Sequence, residues 1–210
     1  MSKLKIYGIP SSRAARVLWC ANELGLEYEN IAINFADQTS KTPDYLRINP
    51  MGKVPALDDD GFQMTESLAI NCYLAQKYDS PHRLWPAAPE AQATVLQWTL
   101  WVATECERPY IVVLRNRAFF PPEKRDPKAA DEAEAELQRP FKVLDAALAK
   151  TGYLIGQSFT LADLNVAAVL AWALSHGRFN FEPFPHLTKW HAACLARPAY
   201  KKVPPRAKPL

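Results

Sequence analysis

The spacing of apolar residues changes period several times along the first third of the chain. Residues 4–7 (LKIY) read as a short strand closed by the turn GIPSSR. Ala14, Ala15, Val17, Leu18, Ala21 and Leu24 then recur at helical spacing until Gly25 stops them. Residues 28–33 read as a second strand, so the opening unit is strand, helix, strand, with a length that suits a right-handed crossover. The pattern over 34–48 is weak and polar, with one helical turn expected at Asp44, Tyr45 and Leu46 behind Pro43.

The stretch NPMGKVPALDDDGFQMTESLAI, residues 49–70, organises the rest of this unit. A proline cannot donate to a ladder, so Pro55 is expected to begin a strand rather than lie inside one. Asp58, Asp59, Asp60 and Gly61 signal a turn, and residues 62–64 return as the second arm of a hairpin. Thr65 is read as the cap of a helix with Glu66 in its first turn and Leu68, Ala69, Cys72 and Tyr73 on its apolar side. A tight hairpin brings the backbone before Pro55 close to the helix N-terminus at 65–67, whose free N–H groups suit a carboxylate. A hairpin and capped helix with no ligand is the competing reading.

The segment DSPHRLWPAAPEAQ, with prolines at 81, 86 and 89, marks a domain boundary, with Leu84 and Trp85 expected to anchor it. Beyond Glu90 the pattern is helical throughout. Residues 90–119 contain no glycine and predict a long helix bent near Pro109, ended by FFPPEKRDP. A second helix is expected over 129–150, with acids at 131, 132, 134 and 136 near its N-terminal end, and Thr151-Gly152 terminates it. Thr160 and Asp163 have capping-box spacing before a helix that is apolar almost all round, and residues 185–200 supply another. The expected plan is an α/β domain over 1–79, a linker over 80–89 and an all-α domain over 90–210.

Composition narrows the class. Of 210 residues, 49% are hydrophobic and 22% charged, which is globular and not disordered. No apolar run approaches bilayer length and MSKLKIYGIPSS lacks a signal-peptide core, so an intracellular, cytoplasmic protein without a membrane contact is expected. The cysteines at 20, 72, 106 and 194 form no CxxC pair, against a disulfide scaffold, zinc knuckle or dithiol centre. His186 and His191 do not have ligand spacing, and no metal site is expected. The net charge of +3 is uneven: no acid follows Glu182, while Arg197, Lys201, Lys202, Arg206 and Lys208 crowd the end. A solvated tail is the reading taken for that end, since the aromatic and basic interleaving of a nucleic-acid surface is missing.

The segments YGIPSSRAARVLWCANELGLEYE, NPMGKVPAL, MTESLAI and GYLIGQSFTLADLNVAAVLAW, in this order and spacing, resemble the cytosolic glutathione transferases of serine type, bacterial-like or theta/phi-like, over almost the whole chain. The resemblance implies a thioredoxin-like N-terminal domain that binds glutathione as co-substrate. It also implies an all-α domain that forms much of the site for a small hydrophobic electrophile, and a homodimer. It further implies that Pro55 is cis and that the Val54 backbone meets the cysteinyl part of glutathione. Glu66 and Ser67 match the pair that holds the γ-glutamyl end, and Lys41 and Lys53 lie where the glycyl carboxylate is met.

In serine-type members a hydroxyl at the start of the first helix donates to the glutathione sulfur and favours thiolate over thiol. Counting back from ARVL favours Ser11, by resemblance to the plant-type enzymes; related bacterial sequences with an SR pair favour Ser12. Tyr7 remains a third candidate, by resemblance to tyrosine-type members, with core packing as its bland alternative. No cysteine stands at the turn, which argues against glutathionyl-protein reduction. The turn SSRAAR also departs from the cysteine-extended turn of the maleylacetoacetate isomerase branch. Conjugation leads. Glutathione-dependent isomerisation, dehalogenation or peroxide reduction, and a noncatalytic binding protein, are the alternatives. Trp98, Trp101, Tyr110, Arg115, Phe119 and Phe120 are candidates for the acceptor site or for packing.

Overall fold

A four-stranded sheet carries the N-terminal part of the chain in the computed structural model, which describes residues 4–80, 82–175, 179 and 181–204. Strand β1 (Leu4–Tyr7) is followed by helix α1 (Ala14–Glu23) and β2 (Glu29–Ile31), then by α2 (Pro43–Ile48). Strands β3 (Ala56–Asp59) and β4 (Phe62–Thr65) form the hairpin, and α3 (Ser67–Tyr78) follows. The sheet order is β2-β1-β3-β4, with β1 parallel to β2 and antiparallel to β3. Asp60 and Gly61, at φ 53° and 94°, make the two-residue turn between β3 and β4. That positive-φ pair matches the twist of the flanking strands.

Two expectations about the hairpin are corrected. Asp59 belongs to the strand, where it is buried and accepts from the Tyr73 hydroxyl (2.7 Å), Lys77 Nζ (2.6 Å) and the Tyr78 hydroxyl (2.9 Å). Burial works to raise its pKa, but these hydrogen bonds outweigh it and hold the carboxyl below its usual range. Thr65 does not cap the helix: it completes the ladder opposite Ala56, and Glu66 takes the cap position at φ 68°.

The chain divides into two compact units. The described parts of Met1–Pro81 and Arg197–Leu210 make one, and His82–Ala196 the other. The final basic stretch is therefore docked on the first unit from Arg197 to Tyr200, while Lys201 and Lys202 are exposed as expected of a solvated end. Arg197 pairs bidentately with Glu23 (2.6 and 2.8 Å), Ala199 is buried, and Tyr200 packs edge-on against Trp19 in the short helix that starts at Pro198. Arg206 and Lys208 lie outside the described residues.

The second unit is helical. Helix α4 (Pro89–Trp101) runs through a π turn (Val102–Cys106) into α5 (Glu107–Leu114), and a second π turn (Arg115–Phe119) ends the run. The expected bend near Pro109 is thus a widened turn just before the proline, whose ring would clash with the preceding turn and whose missing N–H breaks the ladder. Helices α6 (Pro127–Thr151), α7 (Leu161–Ser175) and α8 (Pro185–Leu195) complete the unit, and α9 (Pro198–Lys201) is the segment that joins the first. Leu84 and Trp85 are buried, and the Leu84 carbonyl accepts from Leu161 N at the head of α7 (2.9 Å). Asp163 is fully buried: its carboxylate accepts from Thr160 N, Thr160 Oγ1, Leu154 N and Trp190 Nε1 at 2.9–3.0 Å. The acidic arm of the capping box is present, and the Thr160 hydroxyl is turned onto the same carboxylate.

Candidate active site

The sheet register gathers the candidate residues. Tyr7 pairs with Ala56, and Ala56 with Thr65. The residue after β1, the residue before β3 and the residue after β4 therefore stand in a row at one end of the sheet: Gly8, Pro55 and Glu66. Two strand spacings separate the ends of that row, about 10 Å. Gly8 has φ 131°, and a Cβ placed there would lie 2.7 Å from Ala14 Cβ, 3.1 Å from Val54 Cβ and 3.5 Å from Ser12 Oγ. Only glycine lets the serine turn close against the loop before Pro55. The Asn30 side chain fixes the turn from the other flank, donating to the carbonyls of Ile6 (2.9 Å) and Gly8 (3.0 Å).

The two serines differ in occupation. Ser12 is buried; its hydroxyl donates to the Ile9 carbonyl (2.7 Å) and accepts from Ala14 N (3.1 Å), closing the entry to α1. Ser11 is partly exposed, and its hydroxyl makes no hydrogen bond among the described residues. Tyr7 is buried with its ring 6.0 Å from that of Tyr45; burial, then Asp58 and Glu29, raise the phenol's pKa, so it stays a neutral core side chain.

The Val54–Pro55 bond is cis. The preceding carbonyl, of Lys53, accepts from the Tyr45 hydroxyl and from Asn49 Nδ2, both at 2.6 Å, which fixes the peptide leading into Val54. Lys41 Nζ donates to the carbonyls of Gly52 (3.1 Å) and Met51 (3.4 Å), leaving one of its three donors uncommitted to these carbonyls. The Lys53 side chain is exposed and makes no hydrogen bond among the described residues.

Glu66 is exposed, at φ 68° and ψ 104°, a conformation non-glycine residues rarely adopt. The first bond of α3 runs from Ile70 N to the Glu66 carbonyl (2.9 Å). The N–H groups of Ser67, Leu68 and Ala69 therefore have no partner within the helix, an arrangement that favours an anion. Ser67 is buried, and its hydroxyl accepts from Arg16 Nη1 at 3.3 Å.

Pattern reading missed Arg16, Asn30, Tyr45 and Asn49. Arg16 carried a signal, a lone charge inside the apolar run AARVLWCA. A cavity of about 250 Å³ lined by Leu4, Leu26, Glu27, Asp59, Asp60, Lys77 and Tyr78 lies at the opposite end of the sheet and shares none of these residues. Burial raises the pKa of the Cys20, Cys72 and Cys106 thiols, pushing Cys72 up to about 11 and Cys106 up to about 12. Among the described residues no group of three or more His, Cys, Asp or Glu is placed to hold a metal ion, and no helix is long and apolar enough to cross a membrane.

In the helical unit, Trp98 and Tyr110 are core residues. Trp98 packs edge-on against Trp101, and the Tyr110 hydroxyl donates to the Leu170 carbonyl (3.1 Å). Arg115 and Phe120 are exposed.

Residues 2–76 match the N-terminal domain of glutathione S-transferases, and residues 111–198 match the C-terminal domain. The chain belongs to the glutathione S-transferase family. It is 37% identical over 212 residues to glutathione S-transferase 3 of Zea mays, covering 97% of this chain and 94% of that one. A theta class glutathione S-transferase from Xanthomonas axonopodis pv. citri, solved with glutathione bound, superposes with a TM-score of 0.86 at 31% identity, covering 96% of each chain. The glutathione transferase URE2P6 of Phanerochaete chrysosporium, in complex with oxidized glutathione, gives 0.86 at 30% identity over 96% of this chain and 94% of that one. The thioredoxin-like sheet followed by a helical domain is the glutathione S-transferase plan expected from the sequence.

Proposed function

We propose that this chain conjugates the thiolate of reduced glutathione to a small hydrophobic electrophile. The thiolate attacks the electrophilic carbon, a sulfur–carbon bond forms, and the leaving group departs with its bonding pair. Glutathione lies along the row Gly8, Pro55, Glu66. The Val54 backbone meets its cysteinyl part, and the N-terminus of α3 with Ser67 takes the γ-glutamyl carboxylate. Glu66 takes the ammonium group, while Lys41 and Lys53 serve the glycyl carboxylate. The helical unit supplies contacts to the electrophile, with exposed Phe120 as an apolar surface.

The observation that carries the reading is the division of labour between the two serines. Ser12 is spent on closing the turn, whereas the Ser11 hydroxyl is accessible at the N-terminal side of α1. A donor there and the positive end of the helix both favour a thiolate. Titrating the thiol of bound glutathione tests this. Ser11→Ala should raise its pKa by at least about one unit, equivalent to about 1.4 kcal/mol. An unchanged pKa in Ser11→Ala overturns the assignment, and a shift confined to Ser12→Ala moves it there. Glutathione binding with no turnover of any electrophile would make the chain a binding protein.

A homodimer is part of the proposal, supported by large apolar side chains left exposed: Met51 and Phe62 in the first unit, Leu96 and Leu100 on α4. Sedimentation equilibrium checks it. A cytoplasmic location is proposed from four free cysteines, which suit a reducing compartment.

A further inference from the structure

Arg16 lies in the first turn of α1 and is 7% exposed. Burying a guanidinium is costly unless it is well partnered, and it does not lose its proton in a protein. A permanent cation thus sits beneath the N-terminus of α3. Its Nη1 donates to Ser67 Oγ at 3.3 Å, and the same helix is tied to α1 by Asn71, whose Nδ2 donates to the Arg16 carbonyl at 3.4 Å. A serine hydroxyl has one proton and two lone pairs. With one lone pair occupied by a guanidinium N–H, the hydroxyl proton is directed away from Arg16.

We infer that Arg16 is a positioning residue for glutathione: it orients the Ser67 hydroxyl so that its proton donates to the γ-glutamyl carboxylate, and its charge strengthens that donation. The inference rests on the assignment of Ser67 to that carboxylate. Arg16 acts through Ser67 and touches no reacting atom, so its removal raises the glutathione KM while kcat at saturating glutathione changes little. Lysine keeps the charge but lacks the planar fork, so Arg16→Lys restores part of the affinity.

The test measures binding of glutathione, and of the analogue with γ-aminobutyrate in place of the γ-glutamyl residue, to Arg16→Gln, Arg16→Lys, Ser67→Ala and the Arg16→Gln/Ser67→Ala double variant. Folding is followed by circular dichroism. Arg16→Gln should weaken glutathione roughly tenfold, as expected for a hydrogen bond to a charged group. It should leave affinity for the analogue unchanged and add nothing in the Ser67→Ala background. An equal loss for both ligands, or the same loss with and without the Ser67 hydroxyl, overturns the inference. If Arg16→Gln does not fold, Arg16→Lys carries the same comparison. Should Ser67→Ala itself bind glutathione normally, the Ser67 assignment falls. Should Ser67→Ala bind weakly while Arg16→Gln does not, only the role of Arg16 falls.

Discussion

The Tyr45 hydroxyl and the Asn49 side chain meet on one atom, the Lys53 carbonyl oxygen, each at 2.6 Å. Both side chains are buried, Tyr45 within the cluster of Tyr7, Ala56, Ile31, Ile33, Ile48 and Val54. The orientation of the peptide entering Val54 is therefore set by the helical turn before it, through Tyr45 and Asn49. Tyr45→Phe removes one donor and should cost about 1 kcal/mol of stability. Asn49→Ala should cost more, because the Asn49 side-chain oxygen Oδ1 also accepts from Met51 N (3.1 Å). Both variants should raise the glutathione KM in a chromogenic conjugation assay, Asn49→Ala further. Urea unfolding of the same samples separates a displaced loop from a lost fold.

Glycine at 52 is required by contact as well as by φ 59°. A Cβ there would meet Lys41 Nζ at 2.6 Å and the Ser40 carbonyl at 2.8 Å. The lysine can move, but the backbone carbonyl cannot. Gly52→Ala should therefore lower the unfolding midpoint as well as displace Lys41 and weaken glutathione binding. Calorimetric titration alongside a thermal melt checks both arms.

Glu23 and Arg197, 174 residues apart, share a two-pronged ion pair, and Trp19 Nε1 donates to the same Glu23 carboxylate (3.0 Å). Glu23 is 8% exposed at its side chain, so loss of either partner leaves charge poorly solvated. Arg197→Ala should destabilise by about 1–3 kcal/mol, and Glu23→Gln similarly. The double variant should lose less than the sum of the two in urea unfolding, since the partners act as one unit.

That pair also shows where pattern reading runs out. The strands, the hairpin at Asp60-Gly61 and the break at Gly25 were legible because turn chemistry and period are local. That Pro55 stands outside the ladder, immediately before β3, was legible because proline lacks a donor. Arg197 sits in a basic, proline-rich stretch, and nothing within it signals a partner near residue 23. Likewise Asp59 stands among three consecutive aspartates, and only the register that faces it toward Tyr73, Lys77 and Tyr78 distinguishes it. The serine turn was visible as a motif. Which hydroxyl is committed to the Ile9 carbonyl depends on backbone direction, which composition does not encode.

His191 gives the fold an acid-sensitive point. It is almost fully buried, Nε2 lies 3.3 Å from the Ala167 carbonyl, and Nδ1 has no hydrogen-bond partner among the described residues. Burial pushes its pKa down to about 4, from an ordinary value of 6.5. Between these values the unfolded chain binds a proton that the folded chain does not, so stability falls as pH drops through that window. The loss levels off below pH about 4 at about 3 kcal/mol. The difference in urea midpoint between wild type and His191→Leu should therefore depend on pH from about 6.5 to 4 and be flat above. A pH-independent difference would mean the imidazole has the same pKa in the folded and unfolded states.

Asp163 should prove structural despite its burial and its four donors. Its carboxylate joins three separated pieces: Leu154 from the loop before the helix, Thr160 at the helix entry, and Trp190 from α8. Removing the acceptor strands all of these donors in the interior at once. Asp163→Ala should cost about 3–5 kcal/mol, as when a buried charged partner is deleted. Asp163→Asn should cost less, since one oxygen survives, but its amide adds hydrogens facing groups that are themselves donors. The molecules that do fold should bind glutathione with unaltered affinity, because no contact of Asp163 involves the row Gly8, Pro55, Glu66. Refolding yield and glutathione affinity measured on the same preparation test this, and a folded Asp163→Asn protein with lost affinity would overturn it.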